Sequence, residues 1–172
     1  MINFQQEKEE VTKNANANST YFRPEEGENK IRIVSEPVKM WKSFDRVEKK
    51  AKVYLTEERA HADHEAKRRY GFYVLNRATG KLQIADFGQS VWTQYLNLAL
   101  SSDGSFESIP PYDMVLVKTG TGLDTEYVLR AARGNSELTS EERAMIAEAE
   151  PLLAIITKDA EESKIIVDSV PF

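Results

Sequence analysis

The chain has no cysteine. Disulfides, iron–sulfur clusters, thiolate zinc sites and cysteine nucleophiles are excluded together, and a reducing compartment fits. It also lacks any apolar run approaching the roughly 18 residues of a membrane span. Its start, MINFQQEKEE, has neither a basic first segment nor an apolar core, so no secretion signal is expected. Catalytic signatures are missing as well. The glycine-rich stretch TGTGLD is not followed by the Lys-Ser/Thr pair of a phosphate-binding loop, and it joins two strand-like segments with no helix after it. No carboxylate pair stands in a context that marks a general acid and base, and the two histidines have no nucleophile partner. The expectation is a protein without catalytic chemistry.

What is present is a composition of 41% hydrophobic and 30% charged residues over 172 positions, which suits one folded domain with appendages. The net charge of -5 conceals a segregation. Residues 29–81 hold fourteen Lys or Arg against seven Asp or Glu, a local balance of +7, while residues 134–172 hold nine acidic against three basic. A basic patch attracts polyanions whatever the net charge of the molecule; the alternative is an ordinary solvated face.

Residues 1–20, ending in NANANST, read as a mobile arm or helical tether, 21–135 as the main domain, and 136–172 as an acidic helical extension with a tail. Residues 29–42 alternate as a strand, Ile31 and Ile33 against Lys30 and Arg32, until Pro37 imposes an edge, a bulge or a boundary. Residues 46–55 alternate weakly, and TEERAHADHEAKR is either a short helix behind a Thr cap or a charged loop. YGFYVLNR and KLQIADF flank Ala78-Thr79-Gly80 as a hairpin. VWTQYLNLALSS then switches to helical spacing. DMVLVKTG and TEYVLRAA form a second hairpin, whose glycines suit a turn with positive φ. Thr139 to Glu142 opens a helix, and Pro151 ends it or begins the next. The inventory is mainly β with helical decorations (α+β): a five-stranded OB-type barrel, a helix between its strand pairs and a C-terminal helical segment.

RRYGFYVLNR, residues 68–77, sets three aromatic rings among three arginines. In a strand, Tyr70, Phe72 and Val74 point one way, while Arg69, Gly71, Tyr73, Leu75 and Arg77 share the other face. A face of rings between cations suits single-stranded nucleic acid, whose bases stack on aromatics while Lys and Arg follow the phosphates. MWKSFDRVEKKAKVY repeats the combination. The candidate set is Trp41, Lys42, Phe44, Arg46, Lys52, Tyr54, Arg68, Arg69, Tyr73, Arg77, Lys81 and Lys118. The competing role for each ring is a place in the core.

YFRPEEGENKIRIV, YGFYVLNRATGKLQIADFG and especially YDMVLVKTGTGLDTEYVLRAA resemble the phage single-stranded-DNA-binding proteins related to the T-even helix-destabilising protein, over about Tyr21 to Leu153. The resemblance implies an OB fold, binding of single-stranded DNA with little sequence preference in phage replication, recombination and repair, no catalysis, and a location in the host cytoplasm. Some members of that family carry zinc on His and Cys ligands between early strands. This chain departs there, with His61 and His64 but no Cys in the corresponding TEERAHADHEAKRR, so a metal-free arm or flap and no cofactor are expected. The end, VDSVPF, is similar to the acidic Pro-Phe tips with which bacterial single-stranded-DNA-binding proteins dock partners. That similarity implies a partner-docking role for Asp168, Pro171 and Phe172, to replication or recombination proteins. Two other partners remain open: an acidic protein meeting the aromatic–basic face, and RNA.

Overall fold

The computed structural model describes residues 1–8, 10–11, 20–47, 49–134 and 137–168, the side chains of 163–168 excepted. Its organising element is the ten-residue strand β4 (Lys67–Asn76). On one edge β4 pairs from Tyr70 to Asn76 with β5 (Lys81–Phe87), through a hairpin in which Gly80, at φ 72°, donates its N–H to Asn76 O. The other edge is shared. β1 (Gly27–Ile33) runs antiparallel to the second half of β4, and β2 (Val38–Asp45) to the first half. Pro37, which has no N–H to give a ladder, falls in the break between them. The break stays attached to β4: the Val34 N–H donates to Tyr73 O, and the Tyr73 N–H donates to Ser35 Oγ.

β3 (Lys50–Tyr54) completes a ribbon on β2, while β6 (Met114–Thr119) and β7 (Glu126–Ala131) extend the sheet from β1. The result is an α+β fold on an open, mostly antiparallel sheet of seven strands, in the order β3-β2-β4-β1-β6-β7 with β5 on β4. Five strands were expected; Pro37 divides one into two, and residues 50–54 pair as a strand of their own. The turn between β6 and β7 requires glycine. At Gly120, φ 82°, a Cβ would lie 2.3 Å from Asp124 O. β7 ends the path, and a side chain rather than a strand meets its outer edge. Gln94 Nε2 donates to Tyr127 O at 2.9 Å, and Gln94 Oε1 accepts from the Leu129 N–H at 2.8 Å.

Helix α1 (Glu57–Ala60), capped by Thr56, is a single turn. Helix α2 (Gln89–Ala99) carries Gln94 and packs on β7. It covers the face of β4 that bears Tyr70, Phe72 and Val74, the alternation anticipated from RRYGFYVLNR. Tyr70 stacks on Trp92 with centroids 4.0 Å apart and planes 7° off parallel, in a core completed by Ile31, Ile33, Phe87, Tyr95, Met114, Leu116 and Leu129. Helix α3 (Ser140–Glu148) opens with a reciprocal capping box between Thr139 and Glu142. Helix α4 (Leu152–Asp168) follows Pro151. Residues 165–167, whose Ile-Ile-Val composition suits a strand, are helical: they continue a helix anchored through Leu152, Ile155 and Ile156, a spacing that puts three apolar side chains on one face. Among the described residues no helix is long and apolar enough to cross a membrane.

Candidate nucleic-acid interface

Beyond the reach of α2, the core face of the sheet runs out along the β2–β3 ribbon and changes character. Cross-strand partners share a face. Tyr54, Trp41 and Arg68 are consecutive partners on β3, β2 and β4, and Lys52 faces Ser43 in the next row. Two cations lie near the Trp41 indole, Lys39 Nζ 5.6 Å and Arg68 Cζ 6.0 Å from its centroid. Lys39 and Arg68 are exposed, and Trp41, Tyr54 and Lys52 are half-buried. An indole held by cations on an open sheet offers a π-face for a base and charges for its phosphates.

The segment after α1 is tied to this platform by Asp63. Tyr54 Oη donates to Asp63 Oδ2 at 2.9 Å, Ser43 Oγ donates to the same oxygen, and the Glu65 N–H donates to Asp63 Oδ1 at 3.1 Å. Burial, then the bond to the Asp63 carboxylate, pushes the Tyr54 phenol up to about 12. The Asp63 carboxyl is opposed by desolvation, but the Ser43, Tyr54 and Glu65 donors outweigh it and hold its pKa down. His61 and His64 are exposed on either side, and no group of three potential metal ligands gathers among the described residues.

The other face of β4, expected to present Arg69, Tyr73 and Arg77 to a ligand, is covered. Ile156 of α4 sits on Gly71, and Leu152 and Ile156 form a second core with Met40, Val53 and Ile84, against which Tyr73 packs. The Tyr73 hydroxyl donates to Glu150 O at 2.5 Å. Arg69 and Lys42 both bind Asp86, at 2.7 and 2.6 Å. Arg77 bonds the fully buried Asp113 at 3.2 Å and Glu142 of α3 at 2.7 Å. The pattern of alternation was sound, but the cations are neutralised by acids distant in sequence, and the ring lies under a helix.

The remaining candidates are scattered. Phe44 is 57% exposed on the opposite side of β2 from Trp41, and Arg46 is exposed in the turn after β2. Lys81 opens β5 beside Glu141 and Glu148 of α3. Lys118 is the next-to-last residue of β6, between Gly27 and Tyr127. Asp168 is the last residue of α4, while Pro171 and Phe172 lie outside the described residues. Lys39, Ser43 and Asp63 were not among the candidates. For the first two a signal existed, since Lys39, Trp41 and Ser43 are spaced by two on one strand. Asp63 reaches the platform only through tertiary contact.

No family model, curated protein or solved structure matches this chain.

Proposed function

We propose that the chain is a non-catalytic binder of single-stranded DNA with little sequence preference, its primary contact being the Lys39–Trp41–Arg68 platform with Tyr54 and Lys52 beside it. The observation that carries the reading is a half-buried indole with two cations beside it on an open sheet face. Stacking on a ring discriminates poorly between bases, because every base has a π-face. The strand arrangement supports an OB-type description: β1, β4, β5, α2, β6 and β7 follow the order of such a barrel, with β2–β3 as an inserted arm. The resemblance to phage single-stranded-DNA-binding proteins supports the same reading, with a role in replication, recombination and repair as part of the proposal.

The acidic C-terminal helices belong to this proposal as a restraint. With nine acidic against three basic residues from Gly134 onward, their field opposes approaching phosphates over a Debye length of about 8 Å at physiological salt. Deleting the tip from Asp168 leaves DNA affinity unchanged or slightly higher at low salt and abolishes capture of any partner that reads the terminal Phe. Loss of DNA affinity with the fold intact would refute this part.

The test of the main reading is Trp41 fluorescence on adding oligo(dT), against a duplex of matched length, at two salt concentrations. Quenching by the single strand that weakens steeply with salt is expected, through suppressed counterion release. Equal affinity for duplex, or none for either, sinks it. Binding of an acidic protein without any response to oligo(dT) would instead favour an adaptor.

A further inference from the structure

We infer that Ser43, Tyr54 and Lys52 form a phosphate subsite beside the Trp41 platform, occupied in the free protein by the carboxylate of Asp63, which a DNA phosphate displaces. This rests on the single-strand reading and adds to it both a ligand-contacting group and a built-in competitor. Two hydroxyls on neighbouring strands aim at one oxygen, Asp63 Oδ2. On an otherwise solvated sheet face, two O–H donors converging on an anion make a strong, charge-assisted arrangement. Lys52 is the direct cross-strand partner of Ser43; its ammonium lies 3.5 Å from Asp45 Oδ2 and also acts electrostatically on the Asp63 carboxylate, so a cation shared with Asp45 flanks the same spot. Tyr54 stands in the row of Trp41 and Ser43 in the next one, so a nucleotide stacked on the indole carries its phosphate towards them.

Asp63 is brought there by a segment whose backbone bonds are local, the Asp63 N–H donating to Ala60 O and the Ala66 N–H to Asp63 O. It follows a one-turn helix, and its neighbours Ala62, His64 and Glu65 are exposed. A carboxylate and a phosphodiester use the same donors, so both cannot occupy the site. Phosphate binding therefore releases Asp63, and residues 61–66 swing from the platform. Removing the carboxylate removes the competitor.

The experiment uses the full chain and fluorescein-labelled oligo(dT), with binding read by anisotropy at fixed salt. Asp63→Ala is expected to tighten binding by about tenfold, the scale of one charge-assisted hydrogen bond. Glu65→Ala, which removes a charge two residues away and keeps the backbone N–H, changes affinity by about twofold or less. In the Asp63→Ala background, Ser43→Ala weakens binding by about tenfold, because the phosphate loses its hydroxyl. Amide exchange over residues 61–66 of the wild type accelerates on adding the oligonucleotide. Should Asp63→Ala not fold, Asp63→Asn replaces it with the same expected direction. Equal effects of Asp63→Ala and Glu65→Ala, no effect of Ser43→Ala in that background, or slowed exchange over 61–66 would each make Asp63 a mere clip and overturn the inference. Trp41→Ala separates this from the parent reading: if the wild type binds and Trp41→Ala does not, single-strand binding stands whatever the Asp63 series gives. If neither the wild type nor any variant binds, both fall.

Discussion

Gly71 lies directly beneath Ile156: a Cβ at position 71 would come within 2.9 Å of the Ile156 Cδ1. The absence of a side chain at this point of β4 leaves the space that the Ile156 methyl fills. Ile156 is 3% exposed and belongs to the core shared by the sheet and α4. Ile156→Ala should therefore cost about 2–5 kcal/mol by leaving a cavity, measured by urea unfolding. It should also expose the residues of α4 to limited proteolysis before the strands are cut. A chain with unchanged stability and an uncut α4 would show that this contact carries no weight. Gly71→Ala is milder, since the atoms in its way are the terminal methyls of Ile156 and Met40, which can shift.

The two tryptophans should separate cleanly. Trp92 stacks between Tyr70 and Tyr95, so Trp92→Ala should cost about 3–5 kcal/mol of stability. Trp41 is half-buried and touches cations rather than core. Trp41→Ala should leave the melting temperature nearly unchanged and weaken oligo(dT) binding by about 1–3 kcal/mol. The opposite assignment, with Trp41→Ala unfolding the chain, would remove the platform.

Arg77 should report on stability, not on salt dependence. Asp113 is fully buried and holds Arg32 at 3.3 Å and Arg77 at 3.2 Å. Asp113→Ala leaves two guanidinium groups with their carboxylate removed, a loss of about 3–5 kcal/mol. Arg77→Ala should destabilise while leaving the slope of log affinity against log salt unaltered. A slope flattened by one phosphate contact would return Arg77 to the binding surface.

Acid should loosen the start of α3 first. The Glu142 carboxyl is held below its ordinary 4.5, chiefly by the Thr139 backbone N–H, against a desolvation cost and with help from Arg77. A depressed carboxylate contributes stability that is fully present above its unfolded pKa and is lost as pH falls through the lower folded value. Stability should thus be flat from neutral pH down to about 4.5 in this contribution and then fall. Glu142→Gln should shrink that acid-dependent drop, read from urea midpoints across the range; an unchanged pH profile in the variant would exclude Glu142 as the group responsible.

The sequence disclosed whatever follows from neighbours along the chain. Tyr70, Phe72 and Val74 alternate with Arg69, Gly71 and Tyr73, so β4 and its two faces were legible, as were the Thr139 cap and the hairpin at Gly80. It did not disclose which face would be covered, because that depends on Gly71 meeting Ile156, 85 positions away. The fate of the arginines was hidden for the same reason. Asp86 and Asp113 read as ordinary acids until the fold sets them against Arg69 and Arg77. The candidate site was half legible: Trp41, Tyr54, Lys52 and Arg68 were named, but grouped with Phe44, which strand parity sends to the other side.

The amide of Gln94 has a consequence for how these molecules coexist. A terminal strand with free backbone groups and an outward valine, as at Val128, is a template on which another chain can lay its own strand and start an aggregate. By occupying the Tyr127 carbonyl and the Leu129 N–H, one neutral side chain blocks that border alongside the strand's own charged residues, Glu126 and Arg130. Copies crowded shoulder to shoulder can therefore abut along β7 without their sheets fusing.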